Sequence, residues 1–205
     1  MRQDFSGKTD AEVWHAFKEG NREAYAYMYA VYAPVLYNYG YKIVQDQTLV
    51  EDCIQDLFEH LLKSRRNLGG TDSIKFYLFK ALRREIIGKL SHAHRVPAAT
   101  PEDALPDFQV TFSCETDLVE AESARQRQEN LVRALNYLPA RQKEAVFLRF
   151  YDNLSYEQIA AIMGIDTHSA YKTIYKAIAS LQKKMVWELI VALLLLQLPH
   201  WQWVG

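Results

Sequence analysis

The sequence predicts an all-α protein: two small helical domains joined by a flexible acidic linker, with an apolar tail at the C-terminus. Three observations predict it. Apolar residues recur at three- and four-residue spacing through most of the chain, the period of helices with one buried face. Start and stop signals for helices punctuate that pattern at short intervals. The pattern lapses over residues 96–116, where "VPAATPEDALPDFQVTFSCET" holds three prolines and several acids without a helical period. The expected division is 10–95 for the first domain, 96–124 for the linker, 125–184 for the second domain and 185–205 for the tail. With 205 residues, 49% of them apolar, the chain can build a core in each domain.

Taken in order, Asp10 is the expected cap of a short helix that ends at Gly20. Residues 21–44, "NREAYAYMYAVYAPVLYNYGYKIV", predict a long aromatic-rich helix, kinked at Pro34. A third helix is expected from about Thr48 to Ser64. "NLGGTDS" then breaks the chain, and Ser73 caps a fourth helix that reaches about His92. After the linker, helices resume near Asp117 and run to about Leu138. Pro139 suits the first turn of the next helix, "ARQKEAVFLRFY".

The stretch "SYEQIAAIMGIDTHSAYKTIYKAI" contains a broken helix. Ser155 and Gln158 have capping-box spacing, Gly164 fits a left-handed helix end, and Asp166 with Thr167 restarts the chain. Ala170, Ile174, Ala177, Ile178 and Leu181 form one apolar stripe on the second helix. A short helix, a tight glycine turn and a longer second helix make the helix-turn-helix plan. In that plan the second helix enters the major groove of duplex DNA with its first residues at the base edges. Here those are His168, Ser169, Tyr171 and Lys172, with Thr173, Tyr175 and Lys176 beside them. An ordinary helical hairpin fits the same pattern.

Charge is unevenly placed although the formal net charge is only −1. Between Leu61 and Arg95 nine Lys/Arg face two acids, a local net of +7, whereas Thr100–Ala124 has seven acids and no Lys or Arg. On the third helix Asp52, Gln55, Asp56 and Glu59 share one face, either solvated or a docking face for a protein partner. Ile54, Leu57, Phe58, Leu61 and Leu62 supply its apolar side. The fourth helix interleaves Phe76, Tyr77 and Phe79 with Lys75, Lys80, Arg83, Arg84 and Lys89. Cations hold phosphates and rings stack on exposed bases, so Lys80, Arg83 and Arg84 are candidate nucleic-acid contacts, while the aromatics serve equally as core.

No Gly-rich phosphate loop or catalytic triad pattern is evident, and no small-molecule substrate is read from the sequence. Cys53 and Cys114 have no short spacing, and His92 and His94 lie two apart, so no disulfide framework, metal site or cofactor is expected. "MRQDFSGKTDAEVW" has no apolar run, which makes a cytoplasmic location the expectation. The tail, "MVWELIVALLLLQLPHWQWVG", carries about fourteen mostly apolar residues, short of the ~20 that span a bilayer. Three readings of it stay open: packing on the protein's own surface, contact with a partner protein, and contact with a membrane.

"VEDCIQDLFEHLL" with the basic aromatic helix after it resembles region 2 of a bacterial RNA polymerase sigma factor. "LNYLPARQKEAVFLRFYDNLSYEQIAAIMGIDTHSAYKTIYKAIASLQKK" resembles region 4. Two such regions and a short linker resemble the extracytoplasmic-function (ECF) group of the sigma-70 family over about residues 10–184. The resemblance implies a sigma region 2 helical bundle and a region 4 helix-turn-helix. It implies core RNA polymerase and promoter DNA as partners, and an anti-sigma factor as a further one. Asp52, Gln55, Asp56 and Phe58 match the polymerase-docking positions. Lys80, Arg83, Arg84 and Lys89 fall on the helix that takes the −10 element, and His168, Ser169, Tyr171, Lys172 and Lys176 on the one that reads the −35 element. The stretch "YLFKALRREIIG" departs from the family's usual pattern at Arg84 and Gly88. The rival expectation is a conventional helix-turn-helix regulator with an N-terminal sensing or dimerisation domain; a membrane-proximal adaptor is a third.

Overall fold

The computed structural model describes residues 5–94, 108–109 and 122–197, with side chains described over 5–91, 108–109 and 129–184. Four helices build the first unit: α1 (Asp10–Lys18), α2 (Arg22–Val44), α3 (Gln47–Ser64) and α4 (Ile74–His94). The start of α1 corrects the expectation for Asp10. Thr9 is the cap, in a full capping box with Glu12. Asp10 instead reaches across the bundle, where its Oδ2 accepts from the Ile74 N–H at 2.7 Å and its Oδ1 from the Tyr32 hydroxyl at 3.0 Å. A carboxylate from α1 thus satisfies an orphan donor at the start of α4, beside the expected cap Ser73, whose Oγ accepts from the Phe76 N–H at 3.2 Å. Pro34 lies inside α2, which stays one helix over 23 residues. Ala30 and Pro34 are both exposed, so the Ala30 carbonyl that loses its donor to proline faces water.

Gly40 lets α2 and α3 approach closely: a Cβ there would sit 2.9 Å from Val50 Cγ1. Trp14, Phe17, Met28, Leu36, Phe58 and Leu82 fill the core between the four helices. Phe58 rings meet Tyr29 at 4.9 Å and Tyr25 at 6.0 Å, edge to face.

The second unit holds α5 (Glu122–Asn136), α6 (Ala140–Val146), α7 (Tyr156–Met163) and α8 (Thr167–Gln197). Pro139 sits one position earlier than expected, as the residue before α6, and its carbonyl accepts from the Gln142 and Lys143 N–H groups at 2.8 and 3.0 Å. A π-helical turn over Phe147–Tyr151 follows α6. The broken helix forms as read. Ser155 and Gln158 close a capping box, and Gly164 ends α7 at φ 68°. Asp166 caps α8 through the Ser169 N–H at 2.9 Å. Ala170, Ile174 and Ala177 are buried and Ile178 and Leu181 half-buried, so the stripe is the face that packs on α6 and α7. The backbone of α8 continues through Gln197, which carries the first part of the tail as a helical extension; the tail's side chains lie outside the described residues. Among the described residues no helix is long and apolar enough to cross a membrane.

The two units are not held apart. Their buried residues form one continuous apolar cluster, with α4 against α7. The linker contributes to it, against expectation. Phe108 is buried, with its ring 6.3 Å from Tyr39 and 5.7 Å from Phe147, and the Gln109 N–H donates to the Lys42 carbonyl at 2.9 Å. An aromatic ring set among prolines and acids finds a cavity between the domains and fills it. Residues 122–124 of the expected linker form the start of α5, and its remaining residues lie outside the described ones.

Candidate nucleic-acid and polymerase interfaces

Three surfaces carry the predicted residues. On α4 they meet different fates. Lys80 and Arg84 are exposed. They border a cleft of about 790 Å³ between α4 and α7, lined also by Phe76, Ile87, Ile162 and Gly164. Lys80 Nζ stands 6.0 Å from the centre of the Phe76 ring. Lys89 is half-buried and donates to Asp56 Oδ2 at 2.6 Å, which ties a candidate DNA contact to a candidate polymerase contact. That bond holds the Lys89 pKa above its ordinary value.

Arg83 corrects the sequence-based expectation. It is only 4% exposed, and its guanidinium grips Glu144 of α6, Nε to Oε1 at 2.8 Å and Nη2 to Oε2 at 3.3 Å. The Tyr39 hydroxyl donates to the same Oε1 at 2.7 Å. Arg83 lines the same α4–α7 cleft, but its guanidinium is taken up by Glu144. Burial is the largest influence on the Arg83 pKa and alone would lower it, but Glu144 and Tyr39 together outweigh it and the net shift is upward. Burial, then Glu144, pushes the Tyr39 phenol well above its usual range. Beside this trio Lys75 Nζ meets Asp152 Oδ1 at 2.7 Å, and Lys42 Nζ lies 5.3 Å from the centre of the Phe147 ring. Burial raises the pKa of Asp152, partly offset by Lys75, and lowers that of Lys42.

On α8 the first turns stand clear of the protein. His168, Tyr171, Lys172 and Lys176 are exposed. Ser169 is half-buried and engaged: its hydroxyl donates to Asp166 Oδ2 at 2.6 Å, so its first task is closing the cap. Tyr171 is not a loose side chain either. Its ring stacks on Tyr156 of α7 at 3.7 Å with 14° between planes, and the Arg149 guanidinium lies 4.8 Å from the Tyr156 ring centre. Tyr175, one turn further on, is 75% exposed and was noted in the sequence only as a neighbour. Together these residues present phenols and cations on one rigid helix face, able to donate to base edges and phosphates.

On α3 Asp52, Gln55 and Asp56 are exposed, as is Glu59. Phe58 is the correction here: at 1% exposure it belongs to the core and cannot touch a partner. Tyr29, which covers it, is the accessible aromatic. It borders a groove of about 550 Å³ between α2 and α3, shared with Pro34, Tyr37, Glu51, Ile54 and Gln55. The hydrophobic period of α3 already put Phe58 inside; the resemblance alone suggested a contact.

Among the described residues no group of three or more His, Cys, Asp or Glu is arranged to hold a metal, and His92 and His94 lie outside the described side chains. Cys53 is buried, and burial pushes its thiol up to about 11. Cys114 lies outside the described residues.

Comparison with known proteins places this geometry. The family described as "Sigma-70 region 2" matches residues 28–96, and "Sigma-70, region 4" matches residues 128–181. The chain is 25% identical over 142 residues to RNA polymerase sigma factor SigV of Bacillus subtilis, covering 69% of this chain and 79% of that protein. It is 28% identical over 161 residues to RNA polymerase sigma factor CarQ of Myxococcus xanthus, covering 75% and 84%. Its fold is similar to that of RpoE from Bartonella quintana, solved with the anti-sigma factor NepR, with a TM-score of 0.56 at 21% identity, over 78% of this chain and 94% of that one.

Proposed function

The chain belongs to the sigma-70 family of RNA polymerase sigma factors, and from that premise we propose that it is an ECF-type initiation factor that docks on core RNA polymerase and directs it to one class of promoter. The polar face of α3, with Asp52, Gln55 and Asp56, docks on the polymerase; Tyr29 extends that face. Lys80, Arg84 and Lys89 of α4 hold the −10 element as its strands open, and an extruded base costs a few kcal/mol that pocket contacts offset. His168, Tyr171, Lys172 and Lys176 of α8 read the −35 element as duplex. An anti-sigma factor is the expected restraining partner. The factor acts in the cytoplasm and does no covalent chemistry of its own; polymerisation belongs to the core enzyme.

What supports this reading is the match to region 2 and then region 4 on one chain, with exposed Lys80 and Arg84 on α4 in the first and exposed phenols and cations on α8 in the second. A conventional helix-turn-helix regulator accounts for α8 but leaves the basic cleft on α4 and the acidic face of α3 without a role. The test adds the purified chain to core polymerase on genomic fragments. Run-off transcripts with defined start points are expected. Binding to DNA without such transcripts, at any fragment, favours the regulator.

A further inference from the structure

We propose that the buried trio Tyr39–Glu144–Arg83 is an intramolecular latch: region 4 covers Arg83 with a carboxylate where promoter phosphate would otherwise sit, so the free chain is held shut. That Arg83 would meet promoter phosphate once uncovered rests on its place on α4, the helix to which the proposed function gives the −10 element; the latch itself rests on geometry. All three groups are buried, and they come from α2, α4 and α6, so the contact joins residues 61 and 105 positions apart across the two domains. The seam around them mixes aromatic packing, with the Phe147 ring 6.3 Å from that of Tyr39, with polar contacts. Lys75 Nζ donates to both the Oδ1 and the main-chain carbonyl of Asp152, at 2.7 and 3.0 Å, and Asn38 donates to the Tyr151 hydroxyl at 3.4 Å. Phe108 pins the linker into the same seam.

Why the ion pair within the seam is suited to opening follows from desolvation. A buried ion pair contributes little net stability relative to apolar residues of the same shape, because each ion gives up its hydration. Removing one partner is different, since the other charge is then stranded. An ion pair of this kind holds firmly while both charges are present, and each charge regains its water when the seam opens. Polar contacts between domains are also the kind across which domains move. The carboxylate opposite Arg83 supplies the same bidentate geometry that a phosphate does.

The test uses the full chain carrying Cys114→Ser, with dyes on Gln47→Cys and Ser180→Cys, both exposed positions. Energy transfer in the free protein is expected to report one dominant distance. Glu144→Gln should add a longer one, shifting the open-to-closed ratio by ~100-fold or more. The double variant Arg83→Met with Glu144→Leu should restore the single distance, which a general folding defect would not do. The Glu144→Gln chain should bind a labelled mixed-sequence single strand about tenfold more tightly than wild type, and lose that gain when Arg83→Ala is added. An unchanged distance in a folded Glu144→Gln chain overturns the latch. If that variant unfolds the second domain, a short bis-maleimide tether between Asn38→Cys and Tyr151→Cys decides instead. Tethering should cut strand binding, and equal binding with and without the tether overturns the proposal. If the distances shift as expected while no form binds DNA or core polymerase, the latch stands and the proposed function fails.

Discussion

Helices α4 and α8 draw on the same residue types, aromatics interleaved with cations, yet the fold treats them differently. On α8 the apolar stripe is narrow and complete, so the opposite face is open: His168, Tyr171, Lys172, Tyr175 and Lys176 are all exposed. On α4 two partners compete for the surface. One side packs into the first unit through Ile74, Leu78, Leu82 and Ile86, and another meets the second unit through Lys75 and Arg83. Cations on a helix are therefore not equivalent. What separates Arg83 from Arg84, its exposed neighbour, is a carboxylate 61 residues away.

The contrast can be broken first at Arg83. Arg83→Ala strands Glu144 in the seam and is expected to cost about 3–5 kcal/mol in urea unfolding, whereas Lys80→Ala should stay within about 0.5 kcal/mol. Equal, small effects would mean that the seam does not form in solution. Phe108→Ala should come next, at about 3 kcal/mol, an effect normally confined to cores and here arising from a linker position. A linker ring that merely rested on the surface would cost a few tenths, so the same denaturation curves separate the two cases.

On the open helix, Lys172→Ala should leave stability unchanged and weaken promoter-duplex binding, reducing the slope of log affinity against log salt by about 1. An unaltered slope removes Lys172 from the phosphate contacts. Lys89→Ala breaks only a partly exposed pair with Asp56, and a loss under about 1 kcal/mol is expected. Smallest of all, Cys53 in a Cys114→Ser chain should resist iodoacetamide at pH 8, because burial holds its thiol at about 11. Rapid alkylation of the folded chain would show that the α3 core opens readily.

What could be read from sequence divides along the same line. The capping box at Ser155 and Gln158, the left-handed Gly164 and the apolar stripe of α8 are local, their partners lying within a few positions, and each forms as read. Helix ends and types follow for the same reason, with shifts such as Gln47 for Thr48 at the start of α3. Asp10 looked like a local cap, but its donors are 22 and 64 residues away. Glu144 lay unremarked in an ordinary amphipathic helix, because nothing nearby in the chain reveals that its face meets Arg83. Phe58 is the opposite case: the local period placed it correctly in the core, and only the analogy to polymerase-docking positions drew it outward. The exposed Tyr175 and the supporting stack of Arg149, Tyr156 and Tyr171 needed the crossing of α7 and α8 to become visible.

Promoter opening in the presence of core polymerase bears most directly on the claim that α4 takes separated strands while α8 holds duplex. Permanganate should modify thymines near the start point only when both core enzyme and this chain are present, with protected duplex roughly 35 base pairs upstream. Upstream protection with no reactive thymines, under conditions where core enzyme is bound, would contradict it.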